Sequence, residues 1–256
     1  MTAAPVSGRP IGVLSAIPEE FAHLDEAAGA VERIGDQVFT HGVIAGRDAW
    51  FVECGIGKVN AAMAATLLLS RFGCGALMFC GVAGGLDPAL GVGDVVVATR
   101  NLQHDYGALV DGQLLTYQAG VPPLPGIGRE HGYDVPAALV EGLRRALAGT
   151  ALPALAPDVA GGRTPAIRFG TVVSGDTFIN CEGTRQRLFD SYGGVAVEME
   201  GGAVAQICAR FGETPFVNVR CLSDLAGAES HLDFRTFLPV AAGLAATVLR
   251  VAAKVV

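Results

Sequence analysis

The stretch "VECGIGKVNAAMAATLLLSRFGCGALMFCGVAGG", residues 52–85, decides the fold. An apolar strand end at Val52–Cys54 runs into a glycine-rich turn. "KVNAAMAATLLLSRFG" (58–73) is rich in Ala and Leu and stops at Gly73, the pattern of a helix with a glycine stop. "GALMFCGVAGG" (75–85) is then short, apolar and strand-like. Strand, helix and strand joined by short glycine turns belong to an α/β sheet with helices on its faces.

The same alternation extends both ways. Upstream, "PIGVLSA" (10–16) reads as a first strand, "PEEFAHLDEAAG" (18–29) as a helix opened by Pro18, and "VFTHGVIAGRDAWFVECG" (38–55) as a hairpin turning near Gly46-Arg47-Asp48. Downstream, "VGDVVVAT" (92–99), "FGTVVSGD" (169–176), Val195–Val197 and "TPFVNVRCLSD" (214–224) read as strands. Helices are expected over "CEGTRQRLFDSYG" (181–193), from Ala203 to Cys208, and over "FRTFLPVAAGLAATVLRVAAKVV" (234–256). Residues 106–166 are the least regular, with a Pro/Gly-rich loop at 121–134 and a helix at 135–149. Residues 1–9 are expected to be flexible. No internal repeat is visible.

The chain has 256 residues, which suits a single α/β domain. It is 51% apolar and 17% charged with a positive mean hydropathy, so it has material for a core. A net charge of −7 without a Lys/Arg cluster argues against nucleic acid or an anionic membrane as partner. The six cysteines are scattered singly without a CxxC pair, which suggests buried thiols in a reducing compartment and no zinc site. The N-terminus lacks the basic and apolar regions of a signal peptide. The C-terminal run "PVAAGLAATVLRVAAKVV" reads as a packed helix, too short, too Ala-rich and too charged to span a bilayer. A cytoplasmic protein is expected.

In sheets of this kind ligands sit beyond the carboxyl ends of the strands. The polar groups placed there are Glu19 and Glu20, Gly84-Gly85, Ser174-Gly175-Asp176, Glu198 and Glu200, and Ser223-Asp224. Each has an ordinary alternative. Asp224 suits a helix N-cap, and Glu20 suits the first turn of a helix, where the macrodipole favours a carboxylate. Glu198 and Glu200 interrupt an apolar run on one face of a strand, so they need cations, hydroxyls or a proton between them. A sugar's vicinal diol meets that need. Phe178, as a lone aromatic, suits the core. "GIGKVNAA" matches neither GxxxxGK[ST] nor GxGxxG and reads as well as a tight turn. His104-Asp105 lacks a GxSxG nucleophile elbow, and the histidines show no HExxH spacing.

In combination, "IGVLSAIPEEF", "CGIGKVNAAMAATLLL", "GVAGGLDPALGVGDVVVAT", "VSGDTFIN", "AVEMEGGAVAQIC" and "PFVNVRCLSDLAGAESHLDF" resemble the 5′-methylthioadenosine/S-adenosylhomocysteine nucleosidases of the nucleoside phosphorylase family. The resemblance runs in order from about residue 10 to 245, with a gap over 106–166. It implies a three-layer α/β/α fold with a central twisted mixed sheet, a homodimer, and no cofactor or metal. It also implies hydrolysis of the N-glycosidic bond of an adenine thionucleoside. By the same resemblance Glu20 activates the water and Asp224 protonates or hydrogen-bonds N7 of the departing adenine. Glu200 and Met199 bind the ribose, Phe178 stacks on the base, and the Ile179 backbone reads the adenine edge. Arg220 and Ser223 fall on site positions, Arg220 near the water and Glu20, and Glu198 matches a neighbouring, non-catalytic glutamate.

Three departures from the family pattern stand out. Val82 replaces a serine near the ribose and water, Pro18 replaces a glutamate of an "EEE"-like run, and "HDYGALVDGQLLTYQAGVPPLPGIG" departs where the 5′-substituent pocket is usually built. The nearest rival is a phosphorylase. Phosphate needs positive charge or backbone nests. Phe79 stands where related phosphorylases carry arginine, and "SAIPEE" replaces their glycine loop. Nucleosidases acting on inosine, AMP or futalosine are further alternatives, with Asp224 favouring a 6-aminopurine. A non-catalytic nucleoside-binding protein is the remaining one, and the intact Glu20, Glu200 and Asp224 set argues against it. The helix at 58–73 suits either a dimer interface or the core.

Overall fold

Strand β1 (Ile11–Ser15) is buried at every residue and lies parallel between β4 (Arg47–Glu53) and β5 (Ala76–Gly85). A strand covered on both faces needs a continuous apolar run, which "IGVLS" nearly supplies. The computed structural model describes residues 8–24, 28–127, 131–157, 162–227 and 230–256. The main sheet runs in the order β11-β10-β6-β12-β5-β1-β4-β3-β2. It is mixed. β12 (Phe216–Asp224) is parallel to β5 but antiparallel to β6 (Val95–Gln103). β10 (Ile167–Ser174) is parallel to β6 and to β11 (Gly194–Glu198). β11 then returns to pair antiparallel with the end of β5, Ala196 opposite Gly85 and Val197 opposite Gly84. Strands β5, β12, β6, β10 and β11 therefore close into a ring, and β1, β4, β3 (Gln37–Ile44) and β2 (Val31–Ile34) extend from it.

Alternation along the central strands sends side chains into two cores. Met78, Cys80 and Val82 of β5 pack on one face, with Val217, Val219 and Cys221 of β12 and with α6 (Ser230–Ala252). Leu77 and Phe79 pack on the other, against α2 (Lys58–Ser70) and α5 (Gly201–Arg210). These layers match the expected α/β/α arrangement.

Most expected elements are present, and the differences have local causes. The hairpin at 38–55 forms as β3 and β4, turning through Ala45 and Gly46, both at positive φ. The first helix is only α1 (Pro18–Phe21), followed by a turn; Asp25–Ala27 of the expected helix lie outside the described residues. The expected flexible residues 1–9 also lie outside them, apart from Gly8 and Arg9. Arg9 Nε donates to Gly73 O at 2.8 Å. Region 106–166 holds the hairpin of β7 (Gly107–Val110) and β8 (Gln113–Thr116), β9 (Tyr133–Asp134) and α3 (Ala137–Leu147). The helix expected at 181–193 is α4 (Glu182–Tyr192). The C-terminal helix corrects one expectation: Phe234–Ala252, 19 residues at mean hydropathy 1.4, is long and apolar enough to cross a membrane. Half of that stretch is buried, with Ala241, Ala245, Val248 and Leu249 against the sheet. It is a packed helix.

Candidate active site

The end of β5 meets the end of β11 beside the ends of β1 and β12. A cleft of about 610 Å³, open to solvent, lies there. Its lining includes Glu20, Phe178, Ile179, Met199, Glu200, Arg220, Ser223 and Asp224, the eight residues to which the resemblance assigns site positions, whereas Glu19, Gly85 and the Ser174-Gly175-Asp176 run do not line it.

Glu20 is 2% exposed. Its Oε2 accepts from the Ala16 N–H at 2.7 Å and the Ile17 N–H at 3.4 Å, and its Oε1 from the Val82 N–H at 2.9 Å. It stands in the first turn of α1 and at the same time lines the cleft. Burial pushes its carboxyl above the usual range, opposed by nearby Arg220 and the three backbone donors. Gly81 makes room for this approach, since a Cβ there would lie 2.8 Å from both Arg220 Nη1 and Glu20 Oε1. Val82 lines the cleft as an apolar wall, and its backbone still contributes a donor.

Glu198 and Glu200 share a cation, Arg220. Arg220 Nη2 lies 2.5 Å from Glu198 Oε2, and Nη1 lies 3.3 Å from Glu200 Oε2. Glu198 also accepts from Ser174 Oγ and from the N–H groups of Glu200 (3.0 Å) and Gly201 (2.7 Å). It is fully engaged with the scaffold. Glu200 ends differently: its Oε1 takes only the Gly57 N–H, at 2.8 Å, and the residue borders the cleft. Burial, with Glu198 and Glu20 nearby, outweighs Arg220 and pushes the Glu200 carboxyl up to about 7. Glu200 is the residue before α5 rather than a strand residue, so convergence on Arg220, not strand alternation, brings the two glutamates together.

The "GIG" turn is a tight strand-to-helix turn, with Gly57 at φ +98°. Its donors are already taken: Gly57 N–H by Glu200 and Lys58 N–H by Asp176 at 2.8 Å. Lys58 Nζ pairs with Asp105 Oδ1 at 2.6 Å, and the Asp176 N–H donates to Asp105 Oδ2 at 2.8 Å. His104 is buried under the 174–176 loop, where a Cβ on Gly175 would lie 2.4 Å from its Nε2.

Asp224 ends β12 and is 2% exposed. Its Oδ1 accepts from the Ala226 N–H at 2.8 Å and its Oδ2 from Ser223 Oγ at 3.0 Å. It caps the turn after the strand and not the helix, which begins at Ser230. Gly84 permits this, because a Cβ there would lie 3.1 Å from Asp224 Oδ1. Phe178 is not core: it is 46% exposed and sits edge-on to Phe234, ring centroids 6.0 Å apart, at the cleft wall. Among the described residues no group of His, Cys, Asp and Glu could hold a metal ion.

Sequence reasoning missed Ile56 and Phe234 in the wall, the Gly57 donor, and two asparagines behind Arg220. Asn218 Oδ1 accepts from Arg220 Nε at 2.8 Å, and Asn218 Nδ2 donates to Asn101 Oδ1 at 2.9 Å. An amide inside "PFVNVRCL" was the available signal.

Comparison with known proteins places the chain in a family. The model of the phosphorylase superfamily matches residues 10–254. The chain is 44% identical over 242 residues to 5′-methylthioadenosine/S-adenosylhomocysteine nucleosidase of Mycobacterium bovis (strain ATCC BAA-935 / AF2122/97), covering 93% of this chain and 94% of that one. The nucleosidase of the same name from Neisseria meningitidis, solved with methylthio-immucillin-A, superposes with a TM-score of 0.78 at 30% identity, covering 97% of this chain and 100% of that one. Futalosine hydrolase of Helicobacter pylori superposes equally, with a TM-score of 0.78 at 27% identity, covering 96% and 97%.

Proposed function

The chain belongs to the phosphorylase superfamily, among its 5′-methylthioadenosine/S-adenosylhomocysteine nucleosidases, and on that premise we propose that it hydrolyses the N-glycosidic bond of a 5′-modified adenosine. Adenine and the ribose derivative are the products. One observation carries hydrolysis over phosphorolysis. The backbone N–H groups of Ala16, Ile17 and Val82, which could cradle an anion, are filled by the protein's own Glu20 carboxylate. The cation beside them, Arg220, is held by Glu198 and Glu200. A phosphate there would meet a carboxylate; a water would meet an acceptor.

In this reading Glu20 orients a water and takes its proton as oxygen attacks C1′. Its raised proton affinity brings it nearer to working pH, as suits a general base. The C1′–N9 bond breaks with oxocarbenium character at the sugar, and the electron pair leaves with adenine. Asp224 donates a proton or hydrogen bond to N7, held in place by Ser223 and the Ala226 N–H. Glu200 accepts from the ribose hydroxyls with Met199 against the sugar, while Phe178 stacks on the base and the Ile179 backbone meets its edge. No cofactor enters this scheme.

We also propose a cytoplasmic homodimer. Ile56 in the turn before α2 is 54% exposed, and Val59 and Met63, four apart at the start of α2, are 80% and 42% exposed, an apolar stripe suited to a second copy. The cysteines are unbridged among the described residues. Scattering-based mass measurement tests the dimer.

Adenine release from methylthioadenosine, S-adenosylhomocysteine, 5′-deoxyadenosine, adenosine and inosine, with and without phosphate, tests the reaction. Phosphate-independent release from the thionucleosides is expected. Release that requires phosphate would overturn the role given to Glu20.

A further inference from the structure

Arg220 is 1% exposed and its guanidinium lies 4.0 Å over the ring of Phe79. A flat ring sets the plane of a guanidinium but leaves it free to turn within that plane. Two contacts oppose that turning: Val82 O on β5 accepts from Nη1 at 3.3 Å, and a second acceptor lies on the same strand as Arg220. Asn218, two residues earlier and directly across from Phe79 in the β12–β5 register, presents Oδ1 to Arg220 Nε at 2.8 Å. Asn218 is itself fully buried and cannot flip freely. Its Nδ2 is committed to Asn101 Oδ1 on β6 at 2.9 Å. Gly201 presses on it from α5, where a Cβ would lie 2.2 Å from that nitrogen. With Nε fixed, Nη1 donates to Glu200 Oε2 at 3.3 Å and Nη2 lies 2.5 Å from Glu198 Oε2.

We propose that Asn218, backed by Asn101, is a positioning residue that sets the in-plane orientation of Arg220 and through it aims the Glu200 carboxylate at the ribose hydroxyls. This rests on the reading of Glu200 as the ribose-binding group. Two buried amides, Asn218 on β12 and Asn101 on β6, are costly unless paired, so their place in the sheet behind Arg220 calls for a function beyond packing. The relay is built from neutral groups. It orients the cation without adding charge beside two glutamates.

The test is discrimination between a 5′-alkylthioadenosine and its 2′-deoxy analogue, read as the ratio of their kcat/KM values. Wild type, Glu200→Gln, Asn218→Val and Asn218→Asp are compared. Asn218→Val is expected to lower the ratio by about fivefold or more, as expected when a hydrogen bond to a charged group loses its alignment. Asn218→Asp keeps an acceptor for Arg220 Nε but loses the N–H donated to Asn101 and adds a charge, so its ratio is expected to fall between those of wild type and Asn218→Val. A purely structural role would lower both substrates alike and leave the ratio unchanged. A ratio lowered in Glu200→Gln but intact in Asn218→Val overturns the positioning role alone. A ratio the same in wild type and Glu200→Gln overturns the ribose reading of Glu200. If Asn218→Val does not fold, Asn101→Ala replaces it. That change frees the Asn218 amide to turn and is expected to lower the ratio, and equal ratios in Asn101→Ala, Asn218→Asp and wild type overturn the proposal.

Discussion

Glu20 Oε1 accepts the Val82 N–H at 2.9 Å, tying α1 to the C-terminal part of β5 across 62 residues of chain. That contact makes an acidic group the filling of a backbone nest at the sheet's carboxyl edge. A carboxylate held there by its own main chain can bind water and repels anions, and the first expectations concern its removal.

Glu20→Gln keeps the size of the side chain but loses the base. Turnover is expected to fall by about 10²–10⁴-fold, and Asp224→Asn is expected to fall by a similar order. Steady-state kcat of each purified variant checks this. Near wild-type turnover in either would remove that residue from the chemistry.

The Glu200 carboxyl, held up near about 7 by burial, gives two opposite pH trends. Below 4.5 folded and unfolded chains both hold the proton, whereas between 4.5 and about 7 only the folded chain does. The folded chain then binds more protons, so its contribution to stability is present at low pH and is lost as pH rises through that window. Nucleoside binding runs the other way, because the ionised form is the better acceptor of two hydroxyls. The rise in Tm caused by a nucleoside analogue should therefore grow from about pH 6 to about pH 8, one unit to either side of the midpoint, and Glu200→Gln should flatten that growth. Calorimetry across the range decides it.

Gly201→Ala places a methyl 2.2 Å from Asn218 Nδ2 and 3.2 Å from Glu198 Oε1. The amide is pinned by two hydrogen bonds and cannot retreat. A loss of about 1–3 kcal/mol is expected in urea unfolding, as for other overpacked sites. Gly183→Ala, where the nearest atom is 4.0 Å away, is the neutral comparison.

Asp94 is a buried carboxylate remote from the cleft. It accepts from Arg163 Nη2 at 2.9 Å and from the N–H groups of Gly91 (2.9 Å) and Ala166 (2.7 Å). Asp94→Ala strands those donors and is expected to cost about 2 kcal/mol. The kcat of the folded fraction should be unchanged, which separates stability from catalysis.

The fold was legible because strand and helix signals alternated with glycine punctuation. "GALMFCGVAGG" and "TPFVNVRCLSD" became β5 and β12, with Gly84 and Asp224 beside each other at the cleft. The site residues were legible because carboxylates in apolar runs needed a reason, and the family resemblance supplied their order. What stayed hidden depends on contacts distant in sequence. Glu198 and Glu200 meet through Arg220, which only the β11–α5 bend brings together. The Gly57 N–H reaches Glu200 across 143 positions. The first helix was over-read because an acidic, Ala-rich run after Pro18 has helix propensity without an apolar face to bury beyond Phe21 and Leu24.

The return of β11 to β5 has a consequence for how the molecule opens. In an open sheet an outer strand can peel away and expose one ladder at a time. Within the ring of β5, β12, β6, β10 and β11 each strand is held on both sides, so releasing any one breaks two ladders together. Amide protons of Val197, Val219 and Val173 should therefore exchange with deuterium only through global unfolding. Those of β2 and β3, outside the ring, should exchange through cheaper local excursions. The candidate site, at the ends of β5, β11 and β12, should therefore sit on the slow-exchanging part of the molecule.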